Sequence, residues 1–168
     1  MVDGLVIDIR NNGGGNDSVS QAIVSRMIEQ ALPIYSKQAR LAAGRTPLQH
    51  VIVQPQGSVR FTGPVALLIS ETTSSAAEIF ALAMRERENT ILIGEASGGG
   101  FSDILPKSLP HELNYTLSNE YYVSVDGEEF EGLGVPVDIE QPFFTLQQRE
   151  EGMDPGLDSA IVWLNDQD

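Results

Sequence analysis

The chain has 168 residues and a formal net charge of −14, long enough for one domain with a sizeable core but of the wrong sign to bind phosphate backbones or acidic lipid headgroups. It contains no cysteine, which excludes disulfides, thiolate nucleophiles and cysteine-ligated zinc. Its apolar runs are too short to span a bilayer, and only two histidines (His50, His111) and two lysines (Lys37, Lys107) are available as bases.

The run from Gly4 to Arg10 (GLVIDIR) predicts a strand buried on both faces of a parallel sheet. A buried strand so near the N-terminus predicts that more chain precedes it in the intact protein. After three glycines, Val19, Ile23, Met27 and Val24, Ile28, Ala31 fall at helical spacing. This predicts a helix over residues 18–31, with Ser18 and Gln21 as its capping box. Residues 32–60, broken by Pro33, Gly44, Pro47, Pro55 and Gly57, read as a variable arm with short strands near Ile34 and at Val51 to Val53.

Val65 to Ser70 predicts a second buried strand, and Ser75 to Met84 a helix apolar around most of its circumference, hence buried on most sides. Ile91 to Gly94 is a third short strand, closed by the glycine-rich stretch Ser97 to Gly100. From Asp103 to Val125 the pattern turns to alternation, at Leu113 to Leu117 and Tyr121 to Val125, which predicts antiparallel strands turning at Asp126-Gly127. Leu157, Ala160, Ile161 and Leu164 mark a C-terminal helix. The pattern as a whole is that of one mixed α/β domain over residues 1–168.

Three features carry chemistry. Asn12-Gly13-Gly14-Gly15 lies between a strand and a helix, where glycine amides and a helix N-terminus converge on one spot. Such a loop holds an oxyanion or a phosphate, or is a plain tight turn. It lacks the lysine and hydroxyl of a phosphate-binding P-loop. In Thr73-Ser74-Ser75-Ala76-Ala77-Glu78, a serine stands at a helix start, where developing negative charge is stabilised. Ser75 and Glu78 also form a capping box, a role glutamine at position 78 would serve equally. The third feature is the glycine-rich turn from Glu131 to Asp138, with an acid at each end.

In this order, the blocks IDIRNNGGG (7–15), TSSAAEIFA (73–81), ILIGEASGGG (91–100) and EGLGVPVDI (131–139) resemble the signature blocks of the C-terminal processing, or tail-specific, serine peptidases. That group also includes the tricorn-protease core. The resemblance spans nearly the whole chain outside residues 32–60. It implies a Clp-protease/crotonase-like layered α/β fold and a protein or peptide substrate. It implies Ser75 as nucleophile, and an oxyanion hole built from the amides of Ala76 and of Gly15 or Gly14. No metal and no cofactor are implied. The intact protein would carry a PDZ-like domain and reside in the periplasm or outside the cell.

One block departs from the pattern. Where the serine–lysine branch of the family has its lysine, this chain has Gly100, so that mechanism is excluded at its usual position. The tricorn-like branch instead uses a histidine that precedes the first glycine block, supported by a glutamate that Glu131 matches. The base would then come from an N-terminal segment outside these residues. His50, His111 and Lys107 match no family position. A non-catalytic binding module on the same fold, as in retinoid-binding relatives, fits the loss of the lysine equally well.

Overall fold

A computed structural model describes residues 3–167. Four parallel strands form the central sheet, in the order β1 (Leu5–Asp8), β4 (Val65–Ile69), β5 (Thr90–Gly94), β9 (Ile139–Glu140). A second, antiparallel sheet sets β2 (Leu32–Ala39) between β3 (Gln49–Val53) and β8 (Glu120–Val123). The strands β6 (Ile104–Ser108) and β7 (Asn114–Ser118) form a separate exposed hairpin. The fold is therefore the layered α/β arrangement read from the sequence.

The central strand β4 explains the layering. All five of its residues are buried, so its alternating side chains must be covered on both faces. Val65, Leu67 and Ile69 pack into a core with Ile79, Leu82 and Ala83 of α2 (Ala76–Arg85), Val24 of α1 (Asp17–Val24), and Ile34 of β2. Ala66 and Leu68 point the other way, onto Ala160, Trp163 and Leu164 of α4 (Pro155–Asn165). A short helix α3 (Leu146–Glu151) precedes α4. Every residue of α2 from Ala76 to Met84 is buried, as its all-round apolar sequence predicts.

Several local expectations are corrected. The first strand covers only Leu5–Asp8, and Leu5 to Ile7 are half-buried and Asp8 exposed because β1 is an edge with one hydrogen-bonded neighbour. The first helix starts one residue early and ends at Val24, capped by Asn16, whose Oδ1 accepts from the Ser18 amide at 2.9 Å. Ser18 therefore lies inside the helix rather than capping it. Val19 and Ile23, predicted to face the core, are exposed, whereas Met27 and Ile28 reach the core from the turn beyond the helix. The chain does turn at Asp126-Gly127, where the Ser124 amide donates to the Glu128 carbonyl at 2.8 Å, but no strand directly follows the turn, and β8 pairs with β2 instead.

The C-terminal helix is tied to β1 by one arginine. Arg10 is 6% exposed. Its guanidinium donates to both carboxylate oxygens of Asp154 at 2.7 Å and to Asp8 at 3.0 and 2.7 Å, and it lies 4.4 Å from the ring centroid of Phe143. Asp154 is also the N-cap of α4. Its pKa is held down first by the hydrogen bond from Arg10 and further by amides at the helix start. Burial works to raise the Asp8 pKa, but the Arg10 hydrogen bonds outweigh it and the net shift is downward. Carboxyls with depressed folded pKa values add stability above their unfolded values, and lose it as pH falls through the folded ones. Asp154→Ala is therefore expected to cost about 1–3 kcal/mol at neutral pH, a range discounted for the solvent exposure of Asp154. The difference from the parent should begin to shrink only below roughly pH 4 and should close as pH falls through the depressed folded pKa of Asp154, as chemical denaturation at a series of pH values would measure.

Candidate active site

Because β1 and β4 are parallel neighbours, the loops that follow them emerge at the same sheet edge. They are bonded together there. The Arg10 carbonyl accepts from Ser70 Oγ at 2.5 Å and Thr72 Oγ1 at 2.6 Å, and the Ile9 carbonyl from Thr73 Oγ1 at 3.0 Å. The Ser74 amide donates to the Asn12 carbonyl at 3.1 Å. A hydroxyl-rich turn, Ser70 to Thr73, is thus used up in anchoring the glycine loop.

Next comes Ser75, the N-cap of α2, at φ 56° and ψ −130°. A non-glycine residue in this region carries strain of order 1–3 kcal/mol, and such residues concentrate at functional sites. Ser75 and Glu78 form a capping box, with the Ser75 side chain set toward the Glu78 amide and the Glu78 carboxylate on the Ser75 amide; the carboxylate half is the one closed by a full hydrogen bond. The Ser75 amide donates to Glu78 Oε2 at 3.0 Å. The Glu78 amide goes to the Ser75 carbonyl at 2.7 Å, and the hydroxyl makes no cap bond. Ser75 is an exposed residue.

Gly14 lies directly against this turn. At φ 104°, a Cβ on Gly14 would fall 2.6 Å from Ser75 Cβ and 2.7 Å from the Ser74 carbonyl oxygen, so only glycine fits. The structure thus brings Gly14, Ser75 and Ala76 together, and Gly15 follows Gly14 on the exposed side. The Gly14 amide is occupied by Asn12 Oδ1 at 3.0 Å. The Ala76 amide, first in its helix, has no intrahelical acceptor.

The third glycine stretch closes on the same helix start. Glu78 is 0% exposed and accepts from Ser97 Oγ, Gly99 N and Gly100 N as well as from Ser75 N. The requirement is for a carboxylate, so glutamine would not serve as the capping-box pattern suggested; its NH2 would face donors. A Cβ on Gly100 would lie 3.0 Å from Ser74 Oγ and 3.7 Å from Glu78 Oε2. Glu131 accepts from the amides of Phe101 and Ser102, both at 2.9 Å, and from Ser118 Oγ at 3.2 Å. It therefore connects to the Ser75 turn only through residues 97–102.

The remaining base candidates lie elsewhere. His50 Nδ1 pairs with Ser36 Oγ at 2.8 Å across the β2–β3 ladder. His111 occupies the exposed turn Pro110–Glu112, and Lys107 is exposed on β6. Burial works to lower the pKa of Lys37, but Glu120 at 2.8 Å and Asp103 at 3.3 Å outweigh it and hold the amine charged. A lysine so paired is a poor proton acceptor.

The family model described as peptidase family S41 matches residues 1–141. The tail-specific protease of Haemophilus influenzae is 28% identical over 171 residues, covering 96% of this chain and 23% of that protein. The tricorn protease of Thermoplasma acidophilum is 27% identical over 160 residues, covering 94% of this chain and 14% of that protein. A crystal structure from Parabacteroides merdae superposes with a TM-score of 0.88 at 26% identity, over 96% of this chain and 52% of that one. The chain therefore spans less than a quarter of the length of these two curated relatives.

The backbone geometry of Ser75 predicts an unusual stability pattern. A serine acting as an ordinary cap would cost about 0.5–2 kcal/mol on replacement by alanine. Here Ser75→Ala should stay within about 0.5 kcal/mol of the parent. Ser75→Gly should be more stable by roughly 1 kcal/mol, because glycine relieves the strain. Urea denaturation of the three proteins measures both differences.

Proposed function

The chain belongs to peptidase family S41, and on that premise we propose that it is the nucleophile-bearing portion of a serine-type endopeptidase. Ser75 Oγ attacks the carbonyl carbon of the scissile peptide bond and gives its proton to a base. The resulting oxyanion accepts from the amides of Ala76 and Gly15. Gly15 is preferred to Gly14, whose amide is already taken by Asn12. The tetrahedral species collapses by breaking the C–N bond, and the base returns its proton to the leaving amine. Water then hydrolyses the acyl-serine with the same base.

The observation that carries this reading is the strained, exposed Ser75 whose Cβ sits against a position only glycine can fill. A cap needs neither feature, whereas a nucleophile beside an oxyanion loop needs both.

The base in this reading is a histidine from a segment outside these 168 residues, with Glu131 as its supporting acid, as in the tricorn-like branch. A PDZ-like domain would present protein or peptide C-termini to the site. The intact protein would work in the periplasm or outside the cell, and among the described residues no helix is long and apolar enough to cross a membrane. The glycine at position 100 favours a second reading, a non-catalytic binding module on the same fold.

The decisive comparison is between Ser75→Ala and its parent in the intact polypeptide. Peptide cleavage should fall at least about 1,000-fold, with the melting temperature nearly unchanged. Equal cleavage by the two proteins would remove Ser75 from the chemistry and direct attention to Ser74. Silence of the intact parent itself would favour the binding module. Gly100→Lys should not create turnover above background in the 168-residue chain. The new amine would enter beside the Glu78 carboxylate, which favours its protonated form. Measurable turnover by that variant would reinstate the serine–lysine mechanism.

A further inference from the structure

Glu78 takes no part in the reaction above, yet it is the only acidic residue that is buried among the described residues. A carboxylate taken out of water is tolerated only when its lone pairs are satisfied. Here four donors converge on it. Oε1 accepts from Ser97 Oγ at 2.5 Å and the Gly99 amide at 2.6 Å; Oε2 accepts from the Ser75 amide at 3.0 Å and the Gly100 amide at 2.8 Å. A capping box accounts for one of the four. The other three come from a different loop.

The loop so held is itself bonded onward. Ser97 Oγ accepts from the Val135 amide at 2.7 Å while donating to Glu78, and the Gly99 carbonyl accepts from the Gly132 amide at 2.7 Å. Glu78 therefore stands at the junction of the Ser75 turn, the 97–100 loop and the turn after Glu131.

Its effect on Ser75 is specific. In an ordinary cap the backbone is extended and the serine oxygen turns inward to take an amide of the first helical turn. Here the Ser75 amide turns inward onto Glu78, the carbonyl takes the Glu78 amide, and the hydroxyl is left without a full hydrogen bond of its own. We infer that Glu78 is a positioning residue that holds the Ser75 turn in its strained conformation, with the hydroxyl not committed to a cap bond, and fixes it in register with the 97–100 loop. The inference rests on Ser75 being the nucleophile for its catalytic meaning, but the mechanical coupling is testable without any peptidase assay.

The test is a double-mutant cycle on the 168-residue chain, read as melting temperature. With Glu78 in place, Ser75→Gly should raise Tm by about 2–4 °C, as relief of strain in a chain of this size would. In the Glu78→Ala background the Ser75 amide has no side-chain acceptor and Ser75 is free to relax, and the same substitution should gain less than about 1 °C. A glutamate that merely braced the loop would lower Tm yet leave the gain from Ser75→Gly unchanged. Equal gains in the two backgrounds, or no gain in either, would overturn the inference.

If Glu78→Ala does not fold, amide exchange in the unaltered chain decides. The amides of Ser75, Gly99 and Gly100 should exchange at least about 100-fold below their intrinsic rates, although Ser75 and Gly100 are exposed residues. Exchange at intrinsic rates would mean that the carboxylate does not hold them. Failure of the peptidase reading would leave both results standing, so the two failures are distinguishable.

Discussion

Two parallel strands that end side by side dictate what this domain can build. β1 and β4 are register neighbours, so the glycine loop after one and the serine turn after the other must share a few ångströms of space. Close approach of two backbones is possible only where no side chain intervenes. Gly14 supplies that gap, since its missing Cβ would overlap Ser75 Cβ and the Ser74 carbonyl. The hydroxyls of Ser70, Thr72 and Thr73 then turn proximity into fixed geometry by bonding to carbonyls at the end of β1. The sheet beneath is rigid because β4 is buried on both faces, against α2 on one and α4 on the other.

Strain at one residue persists only where the surroundings over-determine it. Ser75 meets that condition from both directions. Ahead of it the Ser74 amide is fixed to Asn12. Behind it α2 is buried from Ala76 to Met84, and Glu78 draws the Ser75 amide inward. A free hydroxyl at a helix N-terminus, beside exposed glycine amides, is what acyl transfer needs and what a helix cap lacks. The proposed reaction takes its proton acceptor from outside the described residues, whose candidates are engaged or placed elsewhere. Lys37 is neutralised by Glu120 and Asp103, His50 is engaged in the β2–β3 ladder, and position 100 has no side chain.

Much of this was legible in the sequence, and the residues show why. The strand at Val65–Ile69 and the helix after Ser75 are continuous apolar segments, so their burial follows from composition alone. The ordered blocks at 7–15, 73–81, 91–100 and 131–139 carry the family because each fixes a backbone turn. The first helix was misjudged because Val24, Met27 and Ile28 are all core residues, a spacing that mimics a helix although the chain turns at Ser25. The alternation at 121–125 correctly signals a strand, but alternation says nothing about partners, and β8 pairs with a strand more than 80 residues away. Glu78 was legible only as a capping residue. Its other three donors belong to residues 97–100, and a contact across some twenty positions leaves no periodic trace.

The central claim is that Ser75 faces an anion site made by the Gly15 and Ala76 amides. It is most directly tested by adding a peptidyl boronic acid to the intact protein and following backbone amides by NMR. A boronate that captures the Ser75 oxygen places a tetrahedral, negatively charged centre where the oxyanion would form. The account predicts that the largest amide shifts fall on Gly15 and Ala76, and that both vanish in Ser75→Ala. Large shifts centred elsewhere, or shifts that survive in Ser75→Ala, would contradict it.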